Sequence, residues 1–298
     1  MSRHSVLKRI KSLDPVKDHL EIVQFTHMWD FPKDTEVAPQ LAFLKTFAIP
    51  SIGNLLEGTG EFEKRPQKRY DDTDLILSEI LEYGYDSERG KRAIKTLNHI
   101  HSRFNITNDD YLYVLTTFVM EPYRWIQQFG FRKLTEHEKI AAHQFWVQVG
   151  HRMGIQNIPN SFSELEQLNS EIERTRFGFS EGGRQVTNHT VNLLLGWYLP
   201  KFLWSMGRPF VYAALDDHLV ATLQLNPPAW WVKRITRGVL RARASIKKIL
   251  PGRNRPFYRT TRTNNTTYPK GYEIEKLGPG KDTKIEERWL KKHRTDQI

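Results

Sequence analysis

The chain of 298 residues carries 45 Lys and Arg against 34 Asp and Glu, and 39% of its residues are hydrophobic. This length and composition suit one large globular domain and exclude disorder of the whole chain. The sequence contains no cysteine, which excludes disulfides, cysteine-ligated zinc, iron–sulfur clusters and thiolate-ligated haem. A bound metal must therefore use His, Asp, Glu or Tyr.

The two ends of the chain differ in composition from its middle. Residues 1–13 are basic and polar, so we expect an N-terminal arm with little order before a helical domain over residues 14–250. Residues 251–298 are rich in Pro, Gly and charge, which is typical of a tail. No apolar h-region follows the basic start, and no apolar run reaches the about 20 residues of a bilayer span. We expect a cytoplasmic protein with neither signal peptide nor transmembrane helix.

Helix signals begin near the N-terminus. Asp14-Pro15 predicts a helix start, with Asp as the cap and Pro in the first turn. Residues 35–48 have helical apolar spacing, and Ile49-Pro50 is predicted to stop that helix. Three glycines in residues 51–65 predict a short helix and a loop.

The helix that follows carries the first candidate site residues. Asp71 or Asp72 is predicted to cap it, and Gly84 to lie just past its end. Thr73 shares a face with the apolar residues of this helix. Because Arg69 stands four residues earlier, we expect Arg69 and Thr73 to point to the same side.

The next helix presents a histidine on its apolar face. Asp86-Ser87 is predicted to cap this helix. His99 lies about 200° around the helix from His101 and therefore faces the opposite side. Asn98 stands one turn before His101, close enough to influence whatever the imidazole contacts. The inward positions are spaced three and four residues apart: Ile94, Leu97, His101 and Phe104.

Two further helices complete the central region. The Thr107-Asn108 pair is predicted to cap a helix that is apolar over most of its surface, which is typical of a central position. Pro122 is predicted to kink or end it. A capping box formed by Thr135 and Glu138 predicts the next helix start. We place His143 at the edge of that helix's buried stripe, as a second candidate ligand.

The residues alone leave the chemistry open. A single His on an apolar face is more often a hydrogen-bonded core histidine than a ligand, so both interpretations stand for His101. Arg69 and Asp72 also fit a salt bridge and cap at a helix start. The sequence has no H-E-x-x-H, P-loop, Rossmann glycine pattern or G-x-S-x-G, which argues against the common hydrolase and nucleotide-binding classes.

Residues 230–250 form a basic segment with an apolar side, and the formal charge of the chain is +11. Such a balance suits an anionic partner. In most proteins such a helix only exposes its basic face to solvent. The functional alternative is peripheral contact with an anionic membrane, which its aromatic start favours. We do not expect nucleic acid to be the partner.

An ordered series of residues resembles the rubber oxygenase (latex clearing protein) family, and most closely its mpaB-like branch. The resemblance extends from about Phe43 to Leu250. Each piece is short, but their order is fairly specific. The pieces are Arg69-x-x-x-Thr73, His101, the block from Asn108 to Leu115, Glu138 with Phe145-Trp146, and Gly150 to Ile155 followed by Ile158-Pro159.

The resemblance implies an all-α fold, a single multi-helix domain with a globin-like haem-binding core, and b-type haem. It also implies O2-dependent oxidation or cleavage of a carbon–carbon double bond in a hydrophobic, isoprenoid-like substrate. By position, His101 matches the proximal iron ligand, and Arg69 and Thr73 match a polar pair near the haem. Asp72 stands where rubber-cleaving enzymes have Lys, and Asn98 where they have Arg. The implied catalytic residues are thus Arg69, Asp72 and Thr73, and the implied cofactor contacts are His101, Arg69 and Asn98.

Two other functional classes remain open. A helical haem protein that senses or stores a ligand would share the histidine but would not turn over an alkene. A non-enzymatic helical module that binds a membrane would show no Soret absorbance. A visible spectrum of the purified protein separates these classes.

Overall fold

The computed structural model describes residues 3–261 and 265–279. Within these residues the chain is α-helical, with a π-helix at Phe25–Asp30, short 3-10 turns at Lys201–Leu203 and Ile274–Lys276, and no β-strand. The all-α prediction is therefore confirmed. The helices are α1 (Arg3–Ser12), α2 (His19–Gln24), α3 (Asp34–Thr46), α4 (Pro50–Thr59), α5 (Glu61–Lys64), α6 (Pro66–Tyr83), α7 (Glu88–His101), α8 (Asn108–Phe129), α9 (Glu136–Arg152), α10 (Phe162–Arg176), α11 (Glu181–Gly196), α12 (Trp204–Tyr212), α13 (Asp217–Thr222) and α14 (Trp230–Ile249).

The chain forms two compact units, each assembled from separate segments. Among the described residues, the first unit comprises 3–42, 72–172, 240–261 and 265–277, and the second comprises 43–71, 173–239 and 278–279. Four of the candidate site residues belong to the first unit: Asp72, Thr73, Asn98 and His101. Arg69 belongs to the second.

Helix α6 begins earlier than predicted. It starts at Pro66, a residue whose fixed φ and missing N–H suit the first helical position. Asp71 and Asp72 therefore lie inside the helix, where they are buried, and the prediction that one of them caps it was wrong. The helix ends at Tyr83, and Gly84 follows with a left-handed φ of 85°, as predicted.

The predicted helix start at Asp14-Pro15 was wrong, because α2 begins only at His19. Three other predicted starts are confirmed. The Ser87 hydroxyl accepts a hydrogen bond from a backbone N–H at the start of α7, and Thr107 does the same for α8. Thr135 and Glu138 form both bonds of the capping box of α9. Each cap satisfies backbone donors that have no partner within the helix.

Pro122 does not end α8, which continues to Phe129. A proline inside a helix removes one hydrogen bond and costs about 3 kcal/mol. The residues from Leu115 to Glu121 are all buried, so the packing of α8 on both sides of Pro122 outweighs this cost. Of the two outcomes predicted at Pro122, the end of the helix was therefore wrong.

Both ends of the described chain contribute to the core of the first unit. The basic start expected to form an arm is helix α1, whose Val6 and Ile10 are buried one turn apart. In the region interpreted as a tail, Ile274 and Leu277 are buried in the same hydrophobic cluster. In the region interpreted as a tail, the apolar residues are too widely spaced among Pro, Gly and charges to produce a periodic signal.

In the second unit, glycines let helices α4 and α11 approach each other closely. A Cβ placed on Gly183 would lie 2.2 Å from the carbonyl oxygen of Phe47. A Cβ on Gly53 would lie 2.7 Å from the Cα of Gly183. Real Cβ atoms do not tolerate such contacts, so this helix pair requires glycine at both positions.

Candidate functional site

His101 is the last residue of α7. Ile94 is buried and Leu97 packs against the core of the first unit, so the predicted apolar stripe leads to the imidazole. The ring is half-buried, its Nδ1 lies below the surface, and its centroid is 5.5 Å from that of the Tyr111 ring. His99 is exposed, as predicted.

Asn98 fixes the last turn of α7 against the end of α9. Its Nδ2 donates a hydrogen bond to the carbonyl oxygen of Arg152 at 2.9 Å. The Arg152 guanidinium in turn pairs with Asp86 at 2.8 Å and lies over the ring of Tyr85, 4.3 Å from its centroid. Asn98 therefore positions the turn that carries His101.

Asp72 is buried on α6, with only 3% of its surface exposed. The phenol of Tyr268 donates a hydrogen bond to its Oδ1 at 2.5 Å. Thr73, the next residue, is half-buried. No sequence pattern indicated a contact between α6 and Tyr268.

Arg69 lies on the N-terminal half of α6, in the second unit. Its guanidinium lies over the ring of Phe62, 5.4 Å from the centroid. Beside it, Tyr70 meets Trp197 edge to face at 4.8 Å, and the Trp197 indole donates a hydrogen bond to the amide oxygen of Gln67 at 2.7 Å. Arg69 and Thr73 both lie on α6.

A buried ionic network joins the π-helix to the start of α9. Arg132 donates hydrogen bonds to Asp30 at 2.6 Å and to Glu138 at 2.7 Å, and Thr26 also donates to Glu138. Burial raises the pKa of Asp30. Burial would also raise the pKa of Glu138, but the hydrogen bonds and charge of Arg132 hold it below its ordinary value. Sequence reasoning assigned Glu138 only the capping box and missed Arg132.

Next to this network, His27 lines a small crevice with a volume of about 20 Å³. Its Nδ1 donates a hydrogen bond to the carbonyl oxygen of Val23 at 2.9 Å, and burial lowers its pKa to about 4. The imidazole is therefore neutral at pH 7. The π-helix shifts the register of side chains, which is why helical periodicity did not identify His27. Aromatic side chains form much of the crevice wall: Phe118, Tyr123, Trp146 and Phe162.

His143 is a core histidine rather than a residue at the edge of its stripe. Only 2% of its surface is exposed, and its Nε2 lies 2.9 Å from the carbonyl oxygen of Pro159, to which it donates. Burial lowers its pKa. This contact favours His101 over His143 as the candidate ligand.

Over residues 3–261 and 265–279, no three His, Asp or Glu side chains are grouped so that they could hold a metal ion. In the same part of the chain, no helix combines the length and the apolar character needed to cross a bilayer.

Comparison with known proteins identifies relatives. Residues 38–247 match the family described as "ER-bound oxygenase mpaB/B'/Rubber oxygenase, catalytic domain". The chain is 26% identical over 239 residues to the ER-bound oxygenase mpaB' of Penicillium brevicompactum, covering 74% of this chain and 56% of that protein. It is 28% identical over 221 residues to the ER-bound oxygenase mpaB of Penicillium roqueforti, covering 68% and 74%. The chain thus spans little more than half the length of mpaB'.

A solved structure of latex clearing protein in the closed state has a similar fold. The TM-score is 0.55 at 11% sequence identity, and the match covers 93% of this chain and 73% of that one. At this identity the likeness concerns the fold alone, and it agrees with the all-helical architecture described above.

Proposed function

Because the chain belongs to the family of mpaB-type and rubber oxygenase catalytic domains, we propose that it is a haem b-dependent oxygenase. It would use O2 to oxidise or cleave a carbon–carbon double bond in a hydrophobic, isoprenoid-like substrate. The observation that carries this proposal is the placement of His101, half-buried at the end of an apolar helix stripe. The resemblance matches this residue to the family's proximal ligand.

The residues present fit a b-type haem. The porphyrin supplies four nitrogen ligands, so a single protein imidazole suffices and no cluster of ligands is required. His101 would hold the iron, and Asn98 would keep the last turn of α7 in place through Arg152. When bound, the haem would supply the activation of O2.

The polar residues of α6 would act on the substrate side of the site. The guanidinium of Arg69 and the hydroxyl of Thr73 can bind an anionic or oxygen-bearing group through hydrogen bonds. The buried carboxyl of Asp72 can hold or release a proton at Oδ1 or Oδ2. The apolar surroundings of the helices would exclude water from the alkene.

The proposal is tested by purification, a visible spectrum, and oxygen uptake in the presence of a polyprenyl substrate. We expect a Soret band and alkene-dependent oxygen consumption. Arg69→Ala and Thr73→Ala should keep most of the Soret absorbance and lose most of the oxygen uptake. Lys64→Ala changes an exposed cation two residues before α6 and should keep both. A protein without haem contradicts the proposal. A Soret band without alkene turnover identifies a sensor or store, and full uptake in both variants leaves Arg69 and Thr73 with packing roles.

We further propose that α14 brings the protein to an anionic membrane surface, where an isoprenoid substrate would dissolve. On a helical projection, its large exposed apolar side chains other than Trp230 lie within an arc of about 80°, and its exposed basic side chains lie in a neighbouring arc of about 60°. The apolar arc contains Trp231, Ile235, Val239, Ile246 and Ile249, which are 49% to 87% exposed. The basic arc contains Arg234, Arg237, Arg241 and Lys248.

The third face of α14 carries cations that are occupied within the protein. Arg243 and Lys247 pair with Asp34, whose side chain is 0% exposed. Lys233 pairs with Asp217. The basic residues available to a membrane are therefore those of the exposed arc.

Reversal of three charges in the exposed arc tests this contact. The triple variant Arg237→Glu, Arg241→Glu, Lys248→Glu should bind anionic liposomes at least 100-fold more weakly at low salt, because each basic residue near the surface contributes about 1 kcal/mol. The wild-type binding should itself weaken with salt, since charges are screened over about 8 Å at physiological ionic strength. Co-sedimentation with anionic and with neutral liposomes measures both effects.

The matched control reverses the same number of charges elsewhere on the surface. The control replaces three exposed residues, Lys8, Lys11 and Lys91, by Glu. It has the same net charge as the α14 triple variant. If the control weakens binding as much as the α14 variant, the attraction comes from net charge and not from α14. Equal binding to neutral liposomes contradicts the electrostatic part of the proposal.

A further inference from the structure

A segment near the C-terminus covers a row of carboxylates on α6. We define the strap as residues 257–261 and 265–277, all of which belong to the first unit, as does α6 from Asp72 onward. Along α6 the carboxylates that bond to the strap occur over three helical turns. The contacts are Tyr268 to Asp72, Arg259 to Asp74, Tyr272 to Glu79, and the Thr260 hydroxyl with the Arg259 backbone N–H to Glu82.

Most of the carboxylates that the strap contacts are buried. Asp72, Glu79 and Glu82 are 3%, 0% and 6% exposed. A buried carboxylate is costly unless hydrogen bonds replace its water. Burial raises the pKa of Glu82 in spite of its bonds from the strap. The strap therefore supplies partners that the helix needs, which explains why a segment of tail-like composition is held in place.

The two strap tyrosines contact carboxylates of different kinds. Glu79 is also held by the guanidinium of Arg89, at 2.7 Å from Nε, so the Tyr272 phenol supplements an ion pair. Asp72 is one of the candidate catalytic residues, and the Tyr268 phenol lies 2.5 Å from its Oδ1. The phenol of Tyr268 thus acts on a carboxyl with a proposed chemical role.

We propose that Tyr268 is a positioning residue of the oxygenase site and that it acts through Asp72. A carboxyl transfers a proton effectively only when it is held within hydrogen-bond reach of the reacting group, and a second contact that locks its rotamer provides this. The phenol of Tyr268 fixes one oxygen of Asp72 and so restricts the rotamer of the carboxyl. The inference rests on the proposed function, since it assigns Asp72 a part in turnover.

A double-mutant cycle tests the proposal on the full-length, haem-loaded protein. Its members are wild type, Tyr268→Phe, Asp72→Asn and the combination. Tyr268→Phe keeps the ring and removes only the hydroxyl, so it should keep the Soret band, lower kcat at least tenfold and leave KM within about twofold. In the Asp72→Asn background the same change should lower kcat no further, because the residue through which Tyr268 acts is already lost.

The matched control is Tyr272→Phe, which removes the neighbouring strap phenol from Glu79. It should leave kcat within about twofold of wild type, even if it lowers the urea midpoint. If Tyr268→Phe and Asp72→Asn lower kcat by independent factors, or if either variant keeps full kcat, the inference is overturned. If Tyr272→Phe lowers kcat as much as Tyr268→Phe, the strap has only a general structural role and the inference is likewise overturned.

A second cycle separates failure of this inference from failure of the proposed function. The urea midpoints of the same proteins without haem report the bond between phenol and carboxylate directly. This second cycle uses Asp72→Ala in place of Asp72→Asn, because an Asn side-chain oxygen could still accept the bond from the phenol. We expect non-additive midpoint shifts for Tyr268→Phe and Asp72→Ala. Additive shifts mean that the bond does not form in solution, which overturns the inference whether or not the wild type consumes oxygen. Coupled midpoints in a protein that lacks alkene turnover contradict the proposed function and, with it, the role of Tyr268 in catalysis.

Discussion

His101→Ala is expected to remove the Soret band completely and, with it, all alkene-dependent oxygen uptake. In the proposed site the iron has one protein ligand, so its loss leaves the cofactor without an axial bond. The side chain is half-buried at the end of α7, where alanine is a good helix former. The variant should therefore fold, and circular dichroism should show wild-type helicity. The measurement is the ratio of Soret to protein absorbance after purification.

Two other histidines provide controls for this result. His99→Ala changes an exposed residue two positions earlier and should leave both haem content and oxygen uptake intact. His143→Ala removes the hydrogen bond to the Pro159 carbonyl oxygen, so it should lower stability and keep the Soret band. If His143→Ala loses haem while His101→Ala keeps it, the assignment of the ligand is wrong.

Local signals predicted most of the central helices. The caps at Ser87, Thr107 and Thr135 lie where the sequence placed them, because a side-chain oxygen beside free backbone N–H groups is a short-range pattern. The apolar period of α7 correctly set His101 and His99 on opposite sides. The start of α6 was misplaced because Asp71 and Asp72 are typical caps, and their burial inside a helix depends on partners far away in sequence.

Contacts between distant segments escaped prediction. Nothing in the local pattern links Asp72 to Tyr268, or Asp34 to Arg243 on α14. The strap has no periodicity, since its role is to bring single phenol, hydroxyl and guanidinium groups to one helix. The π-helix at Phe25–Asp30 has about one more residue per turn than an α-helix, and Asp30 contacts Arg132. A periodicity of 3.6 residues per turn therefore does not predict which of its side chains face inward.

Arg132→Met is expected to cause a large loss of stability. The Arg132 side chain is 16% exposed and bonds two carboxylates, Asp30 and Glu138, whose side chains are 2% and 1% exposed. Methionine keeps much of the side-chain volume and leaves both carboxylates buried without their cation. Removing one partner from a buried ion pair costs about 3–5 kcal/mol. Urea unfolding at pH 7 measures this change in the free energy of unfolding.

A matched substitution elsewhere separates burial from the loss of a charge. Arg184 pairs with Glu181 on the surface of α11, with both side chains well exposed. Exposed pairs contribute little, so Arg184→Met should change the free energy of unfolding by at most about 1 kcal/mol. Similar losses for the two variants would mean that the Arg132 network is no stronger than a surface ion pair.

The pH dependence of the Arg132→Met effect gives a second test of the same network. In the wild type, Arg132 holds the pKa of Glu138 below its ordinary value of 4.5 against the effect of burial. A carboxyl whose pKa is lowered in the folded state adds stability to the protein above pH 4.5. That stability is lost as the pH falls through the lower folded-state pKa. Without Arg132, burial remains while the strongest interaction that lowers the pKa of Glu138 and Asp30 is lost, so both pKa values should rise and protonation should stabilise the folded variant. The difference in unfolding free energy between wild type and Arg132→Met should therefore become smaller as the pH is lowered from 7 toward 4.5. A difference that does not depend on pH would show that the carboxylates keep their water in the folded protein.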